Sequence, residues 1–247
     1  SVFAGKHVVG GALTGSGKTA AFALPILQLL SDEMYGVFAL VLTPSRELAY
    51  QILDQFIAFG APCAARTAVV IGGVHHDKQL DALKARPHIV VATPGRLKFM
   101  FEKFPEVRAA FQNLRFLVLD EADRITEGDI AADTSAVIEL LGEPKPFRRT
   151  LLFTATLHER LTNAAGEFLP TVGVHDASML AVHAAGVPDL SSSGASASNK
   201  SVFSLAPTLD ERYLFIPVSV KLPYLVALLK SRGPKQSTIV FANSCVR

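Results

Sequence analysis

Residues 12–19 read Ala12-Leu13-Thr14-Gly15-Ser16-Gly17-Lys18-Thr19, set between a short apolar run, His7–Val9, and a helical pattern that continues through Leu30. The arrangement suits an anion. Glycines let consecutive backbone N–H groups curl around a phosphate, and the start of a helix adds positive potential. Lys18 can then reach the outer phosphates, while the Thr19 hydroxyl can face a magnesium ion. Ala12 stands where the general pattern has Gly. By itself the string also reads as a Gly/Ser turn capping a helix, so its meaning depends on the rest of the chain.

The second informative stretch is Asp120-Glu121-Ala122-Asp123, which closes the wholly apolar run Phe116–Leu119. A strand of that character belongs in the middle of a sheet, and its carboxyl end is where a ligand-facing acid is expected. Asp120 can hold magnesium there, and Glu121 can orient or deprotonate an attacking water. The plain alternative is an acidic turn opening a helix, where carboxylates suit the dipole anyway. Phosphate loop and strand-end acids together indicate an enzyme acting on a nucleoside triphosphate.

From Ser1 to about Asp176 the sequence alternates strand and helix. Apolar runs with strand character lie at His7–Val9, Val37–Leu42, Thr67–Ile71, Ile89–Ala92, Phe116–Leu119 and Thr150–Phe153. They are apolar throughout, as strands covered on both faces of a parallel sheet should be. Helical spacing appears at Leu48, Ile52 and Phe56, with Ala49 and Leu53 alongside, over Arg46–Phe59. It appears again at Leu157, Leu161, Ala164, Ala165 and Phe168. The pattern predicts an α/β doubly wound parallel sheet of the P-loop NTPase kind, with ligands at the carboxyl ends of its strands.

Beyond residue 176 the composition shifts. Residues 177–208 are rich in Ser, Ala and Gly and are expected to form a flexible linker without regular structure. Residues 209–247 then open a second α/β unit, with strands expected at Arg212–Ile216 and Thr238–Ala242 around a helix at Leu222–Lys230. The chain has 247 residues, 49% hydrophobic and 19% charged, so it can build a large core. Its 24 Lys+Arg and 22 Asp+Glu leave a net charge of +2, which excludes a polybasic protein and confines any nucleic-acid site to a local patch. No stretch approaches the ~18 apolar residues of a membrane helix. Two cysteines, Cys63 and Cys245, make no disulfide framework, which fits a reducing intracellular compartment.

Four further strings follow strands in order. They are Pro44-Ser45-Arg46-Glu47-Leu48-Ala49-Tyr50-Gln51, then Gly72-Gly73, Thr93-Pro94-Gly95-Arg96 and Thr154-Ala155-Thr156. With the GSGKT and DEAD strings, the set resembles the DEAD-box RNA helicases of superfamily 2. The resemblance covers residues 1 to about 175, then Leu209–Ser244 as the start of a second RecA-like domain. The phrases AAFALPILQLL, LLFTATL and LDERYLFIP look most like the nucleolar members that serve small-ribosomal-subunit biogenesis.

The resemblance implies a RecA-like fold, ATP and Mg²⁺ as ligands, and residue roles by position. Ala12, Leu13, Thr14, Gly15, Ser16, Gly17, Lys18 and Thr19 bind the triphosphate, and the family itself has Ala in the first place. Thr19 and Asp120 hold magnesium; Lys18, Asp120 and Glu121 are catalytic. Asp123 pairs with the Thr154–Thr156 block, so Asp123, Thr154 and Thr156 couple the nucleotide to RNA. Pro44, Arg46, Gly73, Thr93, Gly95 and Arg96 line a track for RNA. Ser45 and Thr154 differ from the family's usual Thr and Ser, but both keep a hydroxyl. The implied protein is a monomer in the nucleus or nucleolus, working on RNA with pre-ribosomal proteins and no membrane.

The residues themselves agree with such a track: helix starts and backbone N–H groups after each strand can cradle phosphodiesters, and two arginines add charge without reading bases. The family's adenine-recognition segment would precede Ser1 and its arginine fingers would follow Arg247, so the chain reads as a piece of a longer protein. A finger is worth a factor of ~10³–10⁵, so hydrolysis by this piece alone is expected to be very low. Two other functions fit parts of the pattern. An unrelated phosphate-loop phosphotransferase leaves Pro44–Gln51 and Thr93–Arg96 without a purpose, and an ATP-gated RNA clamp that never unwinds shares every motif. His75-His76 reads as a loop rather than a metal site, because a third ligand is not in view. Residues 145–149 read as a solvated turn.

Overall fold

The computed structural model describes residues 2–3, 5–12, 15–126, 128–143, 145–154, 180–183, 212–231 and 237–241. The chain divides into two compact units, Ser1–Ala206 and Pro207–Arg247. In the first, the elements in order are β1 (Val8–Gly11), α1 (Lys18–Asp32), β2 (Ala39–Leu42), α2 (Arg46–Gly60), β3 (Thr67–Val70), α3 (His76–Lys84) and β4 (Ile89–Ala92). There follow α4 (Pro94–Lys103), α5 (Pro105–Ala109), β5 (Phe116–Asp120), α6 (Ala122–Ile125), α7 (Gly128–Leu140), β6 (Arg149–Thr154) and β7 (Leu180–His183). The strands form one parallel sheet in the order β3-β4-β2-β5-β6-β1-β7.

Period-two alternation shares out the core between two faces. Leu40, Leu42, Val90, Ala92, Leu117, Leu119 and Leu152 point to one side, where Leu97, Met100 and Val137 of α4 and α7 meet them. Ala39, Val41, Ile89, Val91, Phe116, Val118 and Phe153 point to the other, against Phe22 and Ile26 of α1 and Ile52 and Phe56 of α2. Burial on both faces is why these strands read as unbroken apolar runs. The Phe22 and Phe153 rings lie 5.2 Å apart between centroids, so α1 is anchored directly onto β6.

Strand register brings the ends that matter to one edge. Gly11 is level with Thr154, Asp120 with Phe153, and Leu42 with both Ala92 and Leu119. Ladder bonds continue past the strands, from Ala12 N–H to Thr154 O at 3.1 Å and from Thr93 N–H to Val70 O at 3.0 Å. Every loop singled out in the sequence therefore leaves the same side of the sheet.

Several sequence expectations shift. β1 runs on through Gly10 and Gly11 because the Phe153 ring fills the space a side chain would take: a Cβ on Gly10 would stand 2.7 Å from Phe153 Cε1. The expected linker contains a strand, β7, whose backbone pairs with the otherwise open edge of β1 from Val8 to Gly11; the sheet thus extends past residue 176. The rest of that segment, and the helical pattern at 157–168, lie outside the described residues. In the second unit the expected helix is found as Lys221–Ser231. Residues 212–216 and 237–241 are not strands, since a strand exists only in a ladder and these pair with nothing among the described residues. His76 opens α3 rather than lying in a loop. Arg148 is buried, so the turn at 145–149 is only partly solvated.

Candidate functional site

The phosphate loop leaves β1 and enters α1 with a pronounced backbone reversal. Gly15 and Gly17 have φ of 81° and 92°, the left-handed region that L side chains rarely adopt. No atom lies within 4 Å of where either Cβ would be, so the loop encloses open space. Gly17 caps α1 without a side-chain bond, and no acid occupies the first turn. The first N–H groups of the helix have no partner within it and carry its positive end. Lys18 Nζ folds back to donate to Ala12 O at 2.7 Å. Leu13 and Thr14 lie outside the described residues.

Asp120, at the tip of β5, lies one strand away from the loop, across β6. It is buried, and its Oδ1 has no hydrogen-bond partner. Burial pushes its carboxyl up to about 6 from the ordinary 3.8, against the opposing pull of the Glu121 N–H and the Lys18 ammonium. Burial likewise lowers Lys18, and Asp120, Glu121 and Asp123 counter it in that order. Lys18 and the acids therefore lie within electrostatic reach of one another. Glu121 has φ of 50° and ends the strand in a left-handed turn. Its Oε2 accepts from Arg124 Nη1 at 2.8 Å, which fixes the carboxylate's direction. Asp123 follows in the first turn of α6, and Thr154 is fully buried at the end of β6. Thr156 lies outside the described residues. An orphaned, buried carboxylate oxygen is the donor type that magnesium takes, and Thr19 stands in the first turn of α1, next to Lys18.

A second row of groups extends along the same edge over β2, β4 and β3. Ser45 caps α2 by accepting from Leu48 N–H at 3.1 Å, which sets Arg46 at the helix start beside Pro44. The Arg46 guanidinium lies against Gly72 and Gly73, where a Cβ on Gly73 (φ 80°) would overlap Nη1. Thr93 and Pro94 open α4, and Arg96 donates through Nη2 to Val74 O. The Arg96 guanidinium lies 5.5 Å from the centre of the Phe99 ring. Gly95 is pinned against α7, since a Cβ there would stand 2.7 Å from Asp133 Oδ2.

Sequence reasoning missed the residues that hold this row in place. Gln79 is buried and braces the glycine turn: it accepts from Ile71 N–H at 3.1 Å and donates to Ile71 O at 3.0 Å and to Val74 O at 3.2 Å. Asp133 binds Lys98 at 3.0 Å beneath Gly95. A third candidate ligand, not counted in the sequence reading, is Asp77, next in the chain, which lies within 4.8 Å of His75 and His76. Lys103 Nζ, however, stands 3.2 Å from His76 Nε2, so an ammonium already occupies the neighbourhood a cation would need.

A model of the DEAD/DEAH box helicase family matches residues 1–164. The chain is 39% identical over 244 residues to the probable ATP-dependent RNA helicase ddx49 of Dictyostelium discoideum, covering 99% of this chain and 43% of that protein. It is 38% identical over 248 residues to the probable ATP-dependent RNA helicase DDX49 of Homo sapiens, with 99% and 46% covered. To the ATP-dependent RNA helicase dbp8 of Schizosaccharomyces pombe it is 39% identical over 244 residues, with 98% and 50% covered. The chain thus spans about half the length of the curated relatives it matches. Among solved structures, a hypothetical ATP-dependent RNA helicase from Sulfolobus tokodaii superposes with a TM-score of 0.60 at 32% identity, over 74% of this chain and 49% of that one. Mss116p bound to ssRNA and AMP-PNP superposes with a TM-score of 0.63 at 31% identity, over 72% of this chain and 36% of that one.

Proposed function

The chain belongs to the DEAD/DEAH box helicase family, and from that premise we propose that the protein is an ATP-dependent RNA helicase, coupling RNA-stimulated ATP hydrolysis to unwinding or remodelling of RNA. The observation that carries the proposal is the placement of Lys18, at the end of the glycine loop, within electrostatic reach of Asp120, whose buried Oδ1 has no hydrogen-bond partner. The glycine loop, residues 12–19, holds the triphosphate through backbone N–H groups, with Lys18 leaving its resting bond to Ala12 O for the outer phosphates. Thr19 and Asp120 would hold Mg²⁺, which when bound neutralises charge on the phosphate oxygens. Glu121, aimed by its left-handed turn and by Arg124, orients the attacking water and accepts its proton as the bond to the terminal phosphate breaks.

Pro44, Arg46, Gly73, Thr93, Gly95 and Arg96 hold the sugar–phosphate backbone of RNA along the same edge, without base reading. Asp123, Thr154 and Thr156 transmit the state of the nucleotide to that track. Residues 209–247 open a second RecA-like domain, and the intact protein acts as a monomer. The phrases resembling nucleolar members support a role in ribosomal RNA processing, in the nucleolus, with pre-ribosomal proteins as partners. Among the described residues no helix is long and apolar enough to cross a membrane. The test is ATP turnover by the intact protein with and without single-stranded RNA, together with displacement of a short labelled duplex. RNA-stimulated turnover with strand displacement is expected; turnover indifferent to RNA would refute the reading.

A further inference from the structure

The opposite edge of the sheet, where the strands begin, has a chemistry of its own. Basic residues stand at the starts of β3 (Arg66), β4 (Arg86), β5 (Arg115), β6 (Arg148 and Arg149) and β1 (Lys6). Backbone bonds fix most of the row in register. His88 N–H donates to Arg66 O, Phe38 N–H to His88 O, Arg115 N–H to Phe38 O and Arg149 N–H to Arg115 O, at 2.7 to 3.0 Å. At ~4.8 Å per strand, the row from β3 to β1 is about 24 Å long.

Much of this charge is not spent within the fold. Glu33 engages Arg115 at 3.3 Å and Glu106 engages Lys84 at 3.8 Å. Arg66 and Arg86 have no carboxylate within ion-pair distance among the described residues; Glu143 acts on Arg148 from further away, and Arg149 donates through Nη1 to Pro146 O and Arg148 O. Helices end at this edge, and their dipoles, about half a negative charge each, attract some of these cations. Of the guanidinium groups, Arg66 is the one that serves that purpose, donating to Arg86 O at the end of α3. Arg148 shows the imbalance most sharply. It is only 5% exposed, yet its Nε and Nη2 have no hydrogen-bond partner. Such a guanidinium adds positive potential to this edge from beneath the surface, although it is itself too buried to touch a ligand.

Aromatic and amide groups interleave with the cations. A cleft of about 590 Å³ opens in the middle of the edge, lined by Tyr35, Lys84, Arg86, Gln112 and Asn113 among others. Tyr35 is held in place by its hydroxyl on Asn113 O at 3.0 Å and by an edge contact with Phe38. Phe147 is exposed beneath Arg115, whose guanidinium lies 5.7 Å from the ring centre. Cations that track a backbone, beside aromatic rings on which bases stack, are the recognition chemistry of single-stranded nucleic acid. An acidic peptide would use the cations but would leave the aromatic cleft without a purpose.

We propose that this amino-terminal edge of the sheet is a second docking surface for single-stranded RNA, with a base received in the Tyr35 cleft and phosphates lying along Arg66, Arg86, Arg115 and Arg149. The proposal rests on the helicase reading for the identity of the polyanion, and it places RNA on the side of the sheet away from the nucleotide. RNA held here is therefore indifferent to ATP, and it anchors substrate while the carboxyl-edge track cycles.

The experiment titrates the intact protein with a fluorescein-labelled single-stranded oligoribonucleotide, by anisotropy, over a range of salt concentrations. Three proteins are compared: the parent, an Arg66→Glu/Arg86→Glu double variant, and Arg96→Ala at the other edge. Arg66 and Arg86 are exposed, and basal ATP turnover should be unchanged in the double variant. The double variant is expected to bind RNA roughly tenfold more weakly at 0.1 M salt, with or without nucleotide, and to shallow the salt slope by about 1.4. Parental affinity and slope in the double variant would overturn the proposal, whatever Arg96→Ala does. A loss confined to Arg96→Ala would leave the helicase reading standing alone, and a loss confined to the double variant would do the reverse. Cross-linking of 4-thiouridine RNA to the unmutated protein gives an answer independent of folding: adducts at Tyr35 or residues 112–113 support the surface, and adducts restricted to the carboxyl edge overturn it.

Discussion

Asp120→Asn should stabilise the nucleotide-free protein while abolishing its chemistry. The folded state holds the Asp120 carboxyl at about 6 against an ordinary 3.8, chiefly because it is buried. At neutral pH the native protein therefore carries a charge that would rather be protonated. The difference of about 2.2 pH units corresponds to about 3 kcal/mol of destabilisation at pH 7.5. Asparagine removes the charge and keeps an oxygen for the Glu121 N–H. Its buried amide takes back about 1 kcal/mol, which leaves a gain of about 2 kcal/mol. For a domain of this size the unfolding midpoint should rise by roughly 4–8 °C.

The pH dependence has a definite sign. A carboxyl raised in the folded state favours folding fully below its unfolded value, and it loses that advantage as the pH climbs through about 6. Between pH 7.5 and pH 5 the unmutated protein should regain about 1.4 kcal/mol through this group, while the variant regains none. Other titrating groups, including His88, which burial lowers, are common to both proteins and cancel in the difference. The assay is calorimetric unfolding of both proteins in chelator, without nucleotide, at the two pH values. A variant midpoint at or below that of the parent at pH 7.5, or a gap that does not narrow by pH 5, would refute the argument.

Four other substitutions follow from the geometry. Glu121→Gln keeps the bond to Arg124 but removes the charge that activates water, so ATP turnover in the intact protein should collapse while nucleotide affinity survives; Lys18→Ala should lose both, and equilibrium binding of a fluorescent nucleotide separates them. Gly73→Ala puts a Cβ into the Arg46 guanidinium at a φ that costs about 1–2 kcal/mol, so RNA affinity should fall at all sequences alike while RNA-free ATP turnover holds. Gln79→Leu strands Ile71 N–H and Ile71 O and leaves Val74 O to Arg96 alone, which should cost about 2–4 kcal/mol in denaturant unfolding and weaken RNA binding through the displaced Val74 turn.

What the sequence showed and what it hid divide along physical lines. Ile89–Ala92 and Phe116–Leu119 were legible because burial on both faces leaves a strand no polar residue to interrupt it. GSGKT and DEAD were legible because the chemistry fixes residue types at short spacing. β1 was read short at Val9, since two glycines look like a break. Only the Phe153 ring, from a strand over 140 residues away, shows that those glycines make room. Gln79 was passed over for the same reason, because its three bonds run to carbonyls and an N–H that have no signature in the sequence. β7 follows from an edge of β1 that needs a partner, and Leu180–His183 is too short to announce itself among its neighbours.

The two edges of the sheet sharpen the point. In a parallel sheet every strand starts on one side and ends on the other, so residues far apart in sequence but alike in position along their strands become neighbours. Asp120, Lys18, Arg46 and Thr93 meet in this way, and their motifs made the meeting foreseeable. Arg66, Arg86, Arg115 and Arg149 meet by the same rule, one at each strand start, yet no two belong to a common motif. The net charge of +2 conceals them, because acids elsewhere in the chain, Asp120, Glu121 and Asp123 among them, offset them in the total. Both edges carry both signs, but topology rather than local sequence decides which charges become neighbours. The buried, unpartnered Asp120 oxygen at one edge and the exposed Arg66 and Arg86 at the other, neither with a carboxylate in ion-pair distance among the described residues, are the two imbalances that the metal and RNA proposals address.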